Sequence, residues 1–254
     1  MALDIEQSEL LNGSAHGFLG RSGGLSTGIY AGLNVGLGSD DDRAAIAENR
    51  QRAKNAIMPG SALSTLYQVH SADVVTVDKV FPVDARPHAD AMVTDRPGLL
   101  LGILTADCVP LLLYDRKAQI IGAAHAGWKG AIGGVTDNVI AAMEKLGASR
   151  DNIACAIGPC IAQSSYEVDA GFRDKFTETD SKNTLYFEAG QPDHFQFDIE
   201  TYVADRLIAA GLSAVEKLGL DTYSLEQRYF SYRRSCHRGE AGYGRQISLI
   251  GLPA

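Results

Sequence analysis

Two histidines and one cysteine, His70, Cys108 and His125, lie at the ends of apolar runs that are typical of strands. Imidazole nitrogen and thiolate sulfur suit zinc, and a catalytic zinc usually has three protein ligands and one open position. A water bound at such an ion is acidified toward neutrality and becomes a nucleophile. The separations of 38 and 17 residues match no short metal motif. The residue types therefore indicate a zinc site, although the spacing alone does not establish it.

The same three side chains are compatible with other chemistry. A cysteine hydrolase would use Cys108 as nucleophile and His125 as base, because nearby imidazoles lower the pKa of a thiol. Two histidines and a cysteine also form the equatorial ligands of a blue-copper site. A multicopper oxidase or laccase holds several coppers, and the 6 histidines of this chain are too few for them. A structural role is the simplest alternative, since a lone histidine on an apolar strand is usually a hydrogen-bonded core residue.

The composition is that of an ordinary globular protein, with 45% hydrophobic and 21% charged residues. The net charge of -8 disfavours a nucleic-acid partner, which would be bound against the overall field. No stretch approaches the roughly 18 consecutive apolar residues of a membrane span, and the first residues lack a signal-peptide pattern. The cysteines match no paired zinc framework. We therefore expect a soluble, cytoplasmic protein without a membrane partner, as a monomer or homodimer.

Strands dominate from residue 66 to 124, where LYQV, VVTV, AMVT, LLLGILT, PLLLYD and QIIGAAH follow one another. Several are apolar on successive residues, which indicates strands covered on both faces. Helical patterns occur in RAAIAENRQRAKNAI, AIGGVTDNVIAAMEKLG, YEVDAGFRDKFTE, IETYVADRLIAAG and LSAVEKLG, and the predicted C-terminal strands are DTYSL, YFSYRR and RQISLIGL. This clustering favours an α+β fold with large mixed β-sheets, in a single domain over residues 1–254.

Six motifs occur in order along nearly the whole chain: QVHSADV, ADAMVT, TADCVPLLLYD, AAHAGWKG, IGPCI and SYRR. Together they resemble the YfiH/DUF152 family, formerly labelled polyphenol oxidase or laccase. The resemblance implies a layered α/β/β/α fold and one zinc ion held by His70, Cys108 and His125, with copper less favoured. It also implies phosphorolysis of adenosine, inosine, guanosine and methylthioadenosine, and hydrolytic deamination of adenosine. The implied partners are purine nucleosides and phosphate. Editing of peptidoglycan precursors through Cys108 and His125 is an alternative for bacterial members.

Further polar residues near these motifs are candidates for catalysis or substrate contacts. Asn34 and Gln68 match positions near the family's pocket, and amides can hydrogen-bond a purine edge or a ribose, although turn and strand-edge roles are equally open. Asp107 could act in catalysis by orienting a ligand or moving a proton, or it could cap a turn. Trp128 lines the pocket or packs in the core. A phosphate site should recruit at least one cation, and the nearest are Arg21, Lys129 and Arg245.

The segment SYRRSCHRGEAGYGR departs from the family, which usually joins its arginines through a shorter turn. Cys236 and His237 are expected on an exposed basic loop there rather than at a second metal site. The shape of one pocket wall is therefore open at this stage. Cys155 and Cys160 are predicted to be small core hydrophobes, because free cysteine is usually buried.

Overall fold

The computed structural model describes residues 2–253. Within them the strands are β1 (Ile5–Glu6), β2 (Ala15–Leu19), β3 (Ala62–Thr65), β4 (Val74–Thr76), β5 (Ala91–Thr94), β6 (Leu99–Thr105), β7 (Val109–Asp115), β8 (Ile120–Ala126), β9 (Ile153–Ile157), β10 (Glu167–Asp169), β11 (Phe187–Ala189), β12 (His194–Phe197), β13 (Ala214–Lys217) and β14 (Gln246–Gly251). The helices are α1 (Arg43–Ile57), α2 (Trp128–Ile132), α3 (Val135–Lys145), α4 (Ala170–Thr177), α5 (Ile199–Ala209) and α6 (Tyr232–Arg238). None of these helices is long and apolar enough to cross a membrane.

The strands form two large mixed sheets and one small antiparallel sheet. The five-stranded sheet has the order β1-β2-β14-β6-β3, and only β3 runs parallel to its neighbour. The six-stranded sheet has the order β13-β9-β7-β8-β5-β4, with parallel pairs at its two edges. The small sheet has the order β10-β12-β11. The prediction of an α+β fold with large mixed sheets is confirmed.

Side chains that alternate between the two faces of the central strands pack into three hydrophobic clusters. On β7, Leu112 and Tyr114 face the five-stranded sheet, whereas Leu111 and Leu113 pack with the helices α3 and α5. On β6, Leu101 and Ile103 share the core between the sheets, while Leu100 packs on the side of α1. Successive strand residues point to opposite faces, so both faces of each central strand must be covered. The order of layers is therefore α/β/β/α, as the family resemblance implied.

Two elements of the C-terminal third differ from the prediction. LSAVEKLG contains β13 rather than a helix, because its backbone pairs in parallel with β9 at the edge of the six-stranded sheet. YFSYRR contains the start of α6 rather than a strand. Ser231 caps that helix by accepting a hydrogen bond from the Arg234 amide, and Gly239 ends it with a left-handed φ of 62°. Capping and sheet-edge pairing thus override the local pattern.

Three smaller corrections follow the same physical rule. LYQV is not a strand: β3 ends at Thr65, and the next residues form the loop that leads to His70. DTYSL is a turn held by the Asp221 carboxylate, which accepts hydrogen bonds from the Ala162 amide and the Ser165 hydroxyl. YEVDAGFRDKFTE is split into β10 and α4, because Asp169 caps α4 by accepting from the Phe172 amide. In each case a polar side chain satisfies backbone groups near an element boundary, and in the loop before His70 it is Gln68, whose side-chain amide pairs with the backbone of Leu104.

Candidate metal centre

The hairpin of β7 and β8 brings Cys108 and His125 to one end of the six-stranded sheet. Cys108 immediately precedes β7, and the register pairs Pro110 with His125. The separation of 17 residues in sequence is therefore the length of the hairpin between them. His70 lies in a loop, and its Nε2 is 3.9 Å from the Cys108 Sγ. The three ligand atoms all lie within 4.8 Å of one another, so the structure brings the predicted triad together.

Two backbone features make room for this cluster. His70 has a left-handed φ of 61°, a conformation that non-glycine residues adopt rarely. Gly127 follows β8, and a Cβ at this position would lie 2.6 Å from His70 Cδ2 and 3.1 Å from Cys108 Sγ. Any larger residue would push the histidine away from the thiol. The glycine of AAHAGWKG is therefore required for the approach of these two side chains.

Asp90 is a functional residue that sequence reasoning missed. Its side chain is fully buried, and one carboxylate oxygen lies 2.7 Å from His125 Nδ1. The other oxygen accepts from the Val69 amide at 3.1 Å and the Ser71 amide at 2.6 Å, on either side of His70. A carboxylate on Nδ1 fixes the histidine tautomer and leaves Nε2 free as a metal ligand. An acid at the start of the apolar strand in ADAMVT was the available signal.

The electrostatics of the cluster favour an anionic sulfur. Burial raises the pKa of Cys108, but the imidazoles of His125 and His70 outweigh this effect and lower it to about 6. Burial lowers the pKa of His125, but the Cys108 thiolate and the Asp90 carboxylate raise it to about 9. Both shifts favour a thiolate beside an imidazolium, and a bound cation would replace the proton. By contrast, burial raises the pKa of Cys155 and Cys160, and both lie in the core as predicted.

The donor set fits a single zinc ion. Two imidazoles and one thiolate are an accepted catalytic set, and ligand atoms around tetrahedral zinc lie about 3.3–3.6 Å apart given the usual Zn–N and Zn–S lengths. The 3.9 Å between His70 and Cys108 is close to that separation. Within residues 2–253 this is the one group of three or more His, Cys, Asp or Glu side chains placed to hold a metal. The described chain thus offers no second cluster of the kind that a multicopper enzyme requires.

Two cavities meet at the triad and share His70, Ala106 and Cys108 on their walls. The aromatic cavity, of about 530 Å³, is lined by Ile161, Tyr166, Val168, Phe172, Trp128 and Tyr232 among others. The basic cavity, of about 360 Å³, is lined by Gly36, Gln68, Arg86, Thr105, Tyr243 and Arg245 among others. Both volumes are in the range of small-molecule sites. The metal-competent side chains therefore lie where two ligands of different chemistry could meet.

The segment SYRRSCHRGEAGYGR, residues 231–245, forms part of the wall of both cavities. Tyr232 and Arg233, at the start of α6, line the aromatic cavity, whereas Tyr243 and Arg245 line the basic one. Cys236 is exposed on α6, so the expectation of a loop is wrong because Ser231 and Gly239 specify a helix there. The His237 Nδ1 lies 2.9 Å from the Tyr223 hydroxyl. A second metal group including Cys236 and His237 is not found within residues 2–253.

Asp107 lies beside Cys108 but points away from the sulfur. Its φ is 80°, and its buried carboxylate accepts hydrogen bonds from the Thr222 hydroxyl at 2.7 Å, the Ser231 hydroxyl at 3.0 Å and the Arg233 amide at 2.6 Å. Asp107 therefore anchors the start of α6 against the strand end that carries Cys108. Burial raises the pKa of its carboxyl. The contacts favour a positioning role over a direct role in catalysis.

Two of the predicted substrate residues lie at or behind the basic cavity. Gln68 lines it, with its side-chain amide paired to the backbone of Leu104 through bonds of 2.7 Å and 2.8 Å. Asn34 is fully buried and does not reach the cavity. Its Oδ1 accepts from the Gly36 and Arg245 amides, and its Nδ2 donates to Ser39 and Asp41. Asn34 therefore positions the wall, and Arg245 is the one of the three predicted cations that lines the cavity.

The other two predicted cations are not brought to the triad. Arg21 lies in a third cavity, where its guanidinium stacks 4.5 Å above the ring of Phe230 and donates to the carbonyl oxygens of Ala31 and Glu226. Lys129 on α2 extends over the Trp128 ring and lines none of the three cavities described. Trp128 itself lines the aromatic cavity, with its ring 5.1 Å from Phe172. Arg86, in the basic cavity, was not singled out by the sequence.

Alkylation reports directly on the state of Cys108. In metal-free protein at pH 7 we expect iodoacetamide to modify Cys108 within minutes, because its thiolate is the reactive form and its pKa is about 6. Zinc should slow this modification at least about tenfold, since a metal-bound thiolate is shielded. Mass spectrometry of a Cys236→Ser background removes the exposed thiol, and the buried Cys155 and Cys160 should stay unmodified. Equal rates with and without zinc would argue against Cys108 as a metal ligand.

Known proteins resemble this chain in both sequence and structure. The family model described as multi-copper polyphenol oxidoreductase laccase matches residues 15–253. The chain is 37% identical to a Deinococcus radiodurans protein named purine nucleoside phosphorylase, over 94% of this chain and 89% of that one. The crystal structure of a Neisseria meningitidis protein of family DUF152 matches with a TM-score of 0.89 and 30% identity, covering 100% of both chains. The crystal structure of YfiH from Bacillus licheniformis matches with a TM-score of 0.90 and 28% identity, covering 99% of this chain and 97% of that one.

Proposed function

Since the chain belongs to the YfiH/DUF152 family, whose sequence model is described as a multi-copper polyphenol oxidoreductase laccase, we propose that it is a zinc-dependent purine nucleoside phosphorylase. The substrates are adenosine, inosine, guanosine and methylthioadenosine, each with inorganic phosphate. One observation carries the proposal: a His, Cys, His cluster lies where an aromatic cavity and a basic cavity meet. Relatives named purine nucleoside phosphorylase support it, among them the Deinococcus protein.

His70, Cys108 and His125 would hold the zinc ion, which when bound would act as a Lewis acid on an oxygen of phosphate or water. Asp90 keeps a proton on His125 Nδ1, so that Nε2 faces the cluster. Gly127 leaves the space in which His70 and Cys108 approach each other. Asp107 holds the wall formed by Arg233 in place. These residues fix the geometry of the site before substrate arrives, which lowers the cost of ordering it during the reaction.

In phosphorolysis a phosphate oxygen forms a bond to C1′ of the ribose, and the bond from C1′ to N9 of the purine breaks. The electron pair of that bond leaves with the base, which takes up a proton from solvent or a neighbouring group. The rings of Trp128, Tyr166 and Phe172 offer flat apolar surfaces on which a purine can stack and from which water is excluded. The products are the free base and ribose 1-phosphate, or 5-methylthioribose 1-phosphate when the substrate is methylthioadenosine.

Deamination of adenosine is the second reaction proposed for the site. Replacement of the amino group at C6 requires an activated water and a group that transfers protons. The same donor set supports activation of water, whereas the two carboxylates beside the triad, those of Asp90 and Asp107, each already accept three hydrogen bonds. Deamination is therefore expected to be slower than phosphorolysis. It is recognised by inosine that forms without phosphate.

A cysteine hydrolase is the competing function, and one observation favours it. Cys108, His125 and Asp90 form a chain in which the thiol lies beside an imidazole that is held by a carboxylate. Cysteine hydrolases use this order of nucleophile, base and orienting group, and an editing enzyme for peptidoglycan precursors would do the same. His70 has no role in such a chain, although it lies 3.9 Å from the sulfur. A metal site, by contrast, would use all three side chains as ligands.

Product analysis tests the proposed function. Adenosine is incubated with zinc-loaded protein, with and without inorganic phosphate, and the products are separated by chromatography. Adenine that appears only with phosphate, with inosine in both samples, is the expected result. If adenosine, inosine and methylthioadenosine all stay intact, the proposed action on purine nucleosides is wrong. Oxidation of a phenolic substrate with an intense blue absorption band would instead support the copper activity.

A further inference from the structure

Three arginines of the basic cavity and its wall have no acidic partner among residues 2–253. Arg86 and Arg245 line the cavity, and Arg50 lies behind it on α1. Within residues 2–253 no carboxylate oxygen lies within 4.0 Å of any of these guanidinium groups, although ion pairs occur elsewhere on the surface. In a chain with a net charge of -8, such a group of cations is locally unbalanced.

The neutral contacts of these arginines fix their position without cancelling their charge. Arg245 donates to the Tyr243 hydroxyl at 2.8 Å and lies 4.4 Å above that ring. Arg86 donates to the carbonyl oxygens of Leu66 and Val83. Arg50 donates to the Thr65 hydroxyl at 3.0 Å and to the carbonyl oxygen of Val35. Burial and the charge of Arg86 lower the pKa of Arg50 to about 10, so the guanidinium groups repel one another.

The wall is built to place Arg245 in the cavity. Asn34 accepts a hydrogen bond from the Arg245 amide at 2.9 Å, and this ties the end of the C-terminal segment to the loop at Gly36. A Cβ at Gly36 would lie 3.2 Å from the Arg245 Nη1, so glycine leaves the room that the guanidinium occupies. The cavity therefore offers arginine cations, which are groups that bind an oxyanion.

We propose that the basic cavity is the phosphate subsite, with Arg245 and Arg86 as its ligands, and that the purine occupies the aromatic cavity on the other side of the triad. This assignment rests on the proposed function. The phosphate oxygen that forms the bond to C1′ then approaches from the side of Arg245, and the base departs with the electron pair toward Trp128 and Phe172. A ribose between the two cavities lies against His70 and Cys108, which line both.

Arginine variants test the subsite. In zinc-loaded protein, Arg245→Met and Arg86→Met are each expected to raise the KM for phosphate about 10- to 100-fold, because each removes a charge-assisted hydrogen bond to the anion. The KM for adenosine should stay within about twofold. Arg245→Lys should recover part of the phosphate KM, since it keeps the charge and loses the two-pronged contact. The matched control is Arg116→Met, in the exposed turn at the far end of β7, which should change neither constant.

Direct binding separates failure of the subsite from failure of the proposed function. Binding of inorganic phosphate to the zinc-loaded protein is measured by calorimetry, without nucleoside. Weaker phosphate binding in both arginine variants, with binding in Arg116→Met unchanged, supports the subsite even if the unaltered protein cleaves no nucleoside. Unchanged phosphate binding and an unchanged phosphate KM in both variants overturn it, even if phosphorolysis proceeds. A parallel rise in the KM for adenosine also overturns the phosphate subsite, because the arginines would then support the structure of the whole site rather than bind phosphate.

Discussion

Replacing Cys108 with alanine is expected to lower phosphate-dependent release of adenine by about 10³-fold, since Lewis-acid stabilisation contributes several kcal/mol and each 1.36 kcal/mol is roughly tenfold in rate. The thiolate is the only anionic donor of the triad, and its loss leaves two neutral imidazoles to hold a divalent ion. Bound zinc should therefore fall from about one ion per chain to a small fraction. The measurement is kcat together with metal content by mass spectrometry, after gel filtration in zinc-free buffer.

Cys236→Ala is the matched control for this experiment, because it removes an exposed thiol that lines neither cavity at the triad. It should retain both zinc and activity. A Cys108→Ala protein that keeps its zinc but loses activity would favour the cysteine nucleophile over the metal ligand. A Cys108→Ala protein that keeps both would contradict either role for the sulfur.

Asp90→Asn is expected to weaken zinc binding by about 10- to 100-fold, the usual effect of removing a carboxylate that orients a ligating histidine. All three partners of this carboxylate, His125 Nδ1 and the amides of Val69 and Ser71, present hydrogen to it. Asparagine has one accepting oxygen, so its NH₂ group must face a donor. If it faces His125, the imidazole proton moves to Nε2 and blocks the metal. If it faces the amides, the loop of His70 is displaced.

Zinc affinity of this variant is measured by competition with a chromophoric chelator. Asp73→Asn is its control, since Asp73 is exposed immediately before β4 and its side chain has no hydrogen bond to either histidine. Thermal unfolding of both proteins checks that the fold is retained. An Asp90→Asn protein with unaltered zinc affinity would show that Asp90 serves the fold and not the metal ligands.

The resemblance to the YfiH/DUF152 family implied the proposed metal triad and the layered architecture, and the residue pattern is consistent with both. Cys108 and His125 flank a hairpin whose strands are apolar on successive residues, and such runs mark strands covered on both faces. The side-chain types at the ends of those strands then indicated the ligands. As that pattern requires, Leu111 and Leu112 pack into different hydrophobic clusters on opposite faces of β7.

What the sequence did not reveal depends on contacts between distant segments. Asp90 meets His125 across 35 residues and Asp107 meets Ser231 across 124, so neither role is visible in a local window. The helix α6 was missed because its cap at Ser231 competes with the aromatic pattern of YFSYRR, which favours a strand. Arg86 becomes a candidate for phosphate only when Arg50 and Arg245 are brought to the same side of the triad.

The proposed phosphorolysis of purine nucleosides depends on one zinc ion held by His70, Cys108 and His125. The most direct test adds zinc stepwise to metal-free protein and follows adenine release from adenosine and phosphate by chromatography. Activity is expected to rise linearly and to level off at about one zinc per chain. Full activity in the metal-free protein, or activity that requires several copper ions per chain, would rule out this role for a single zinc ion.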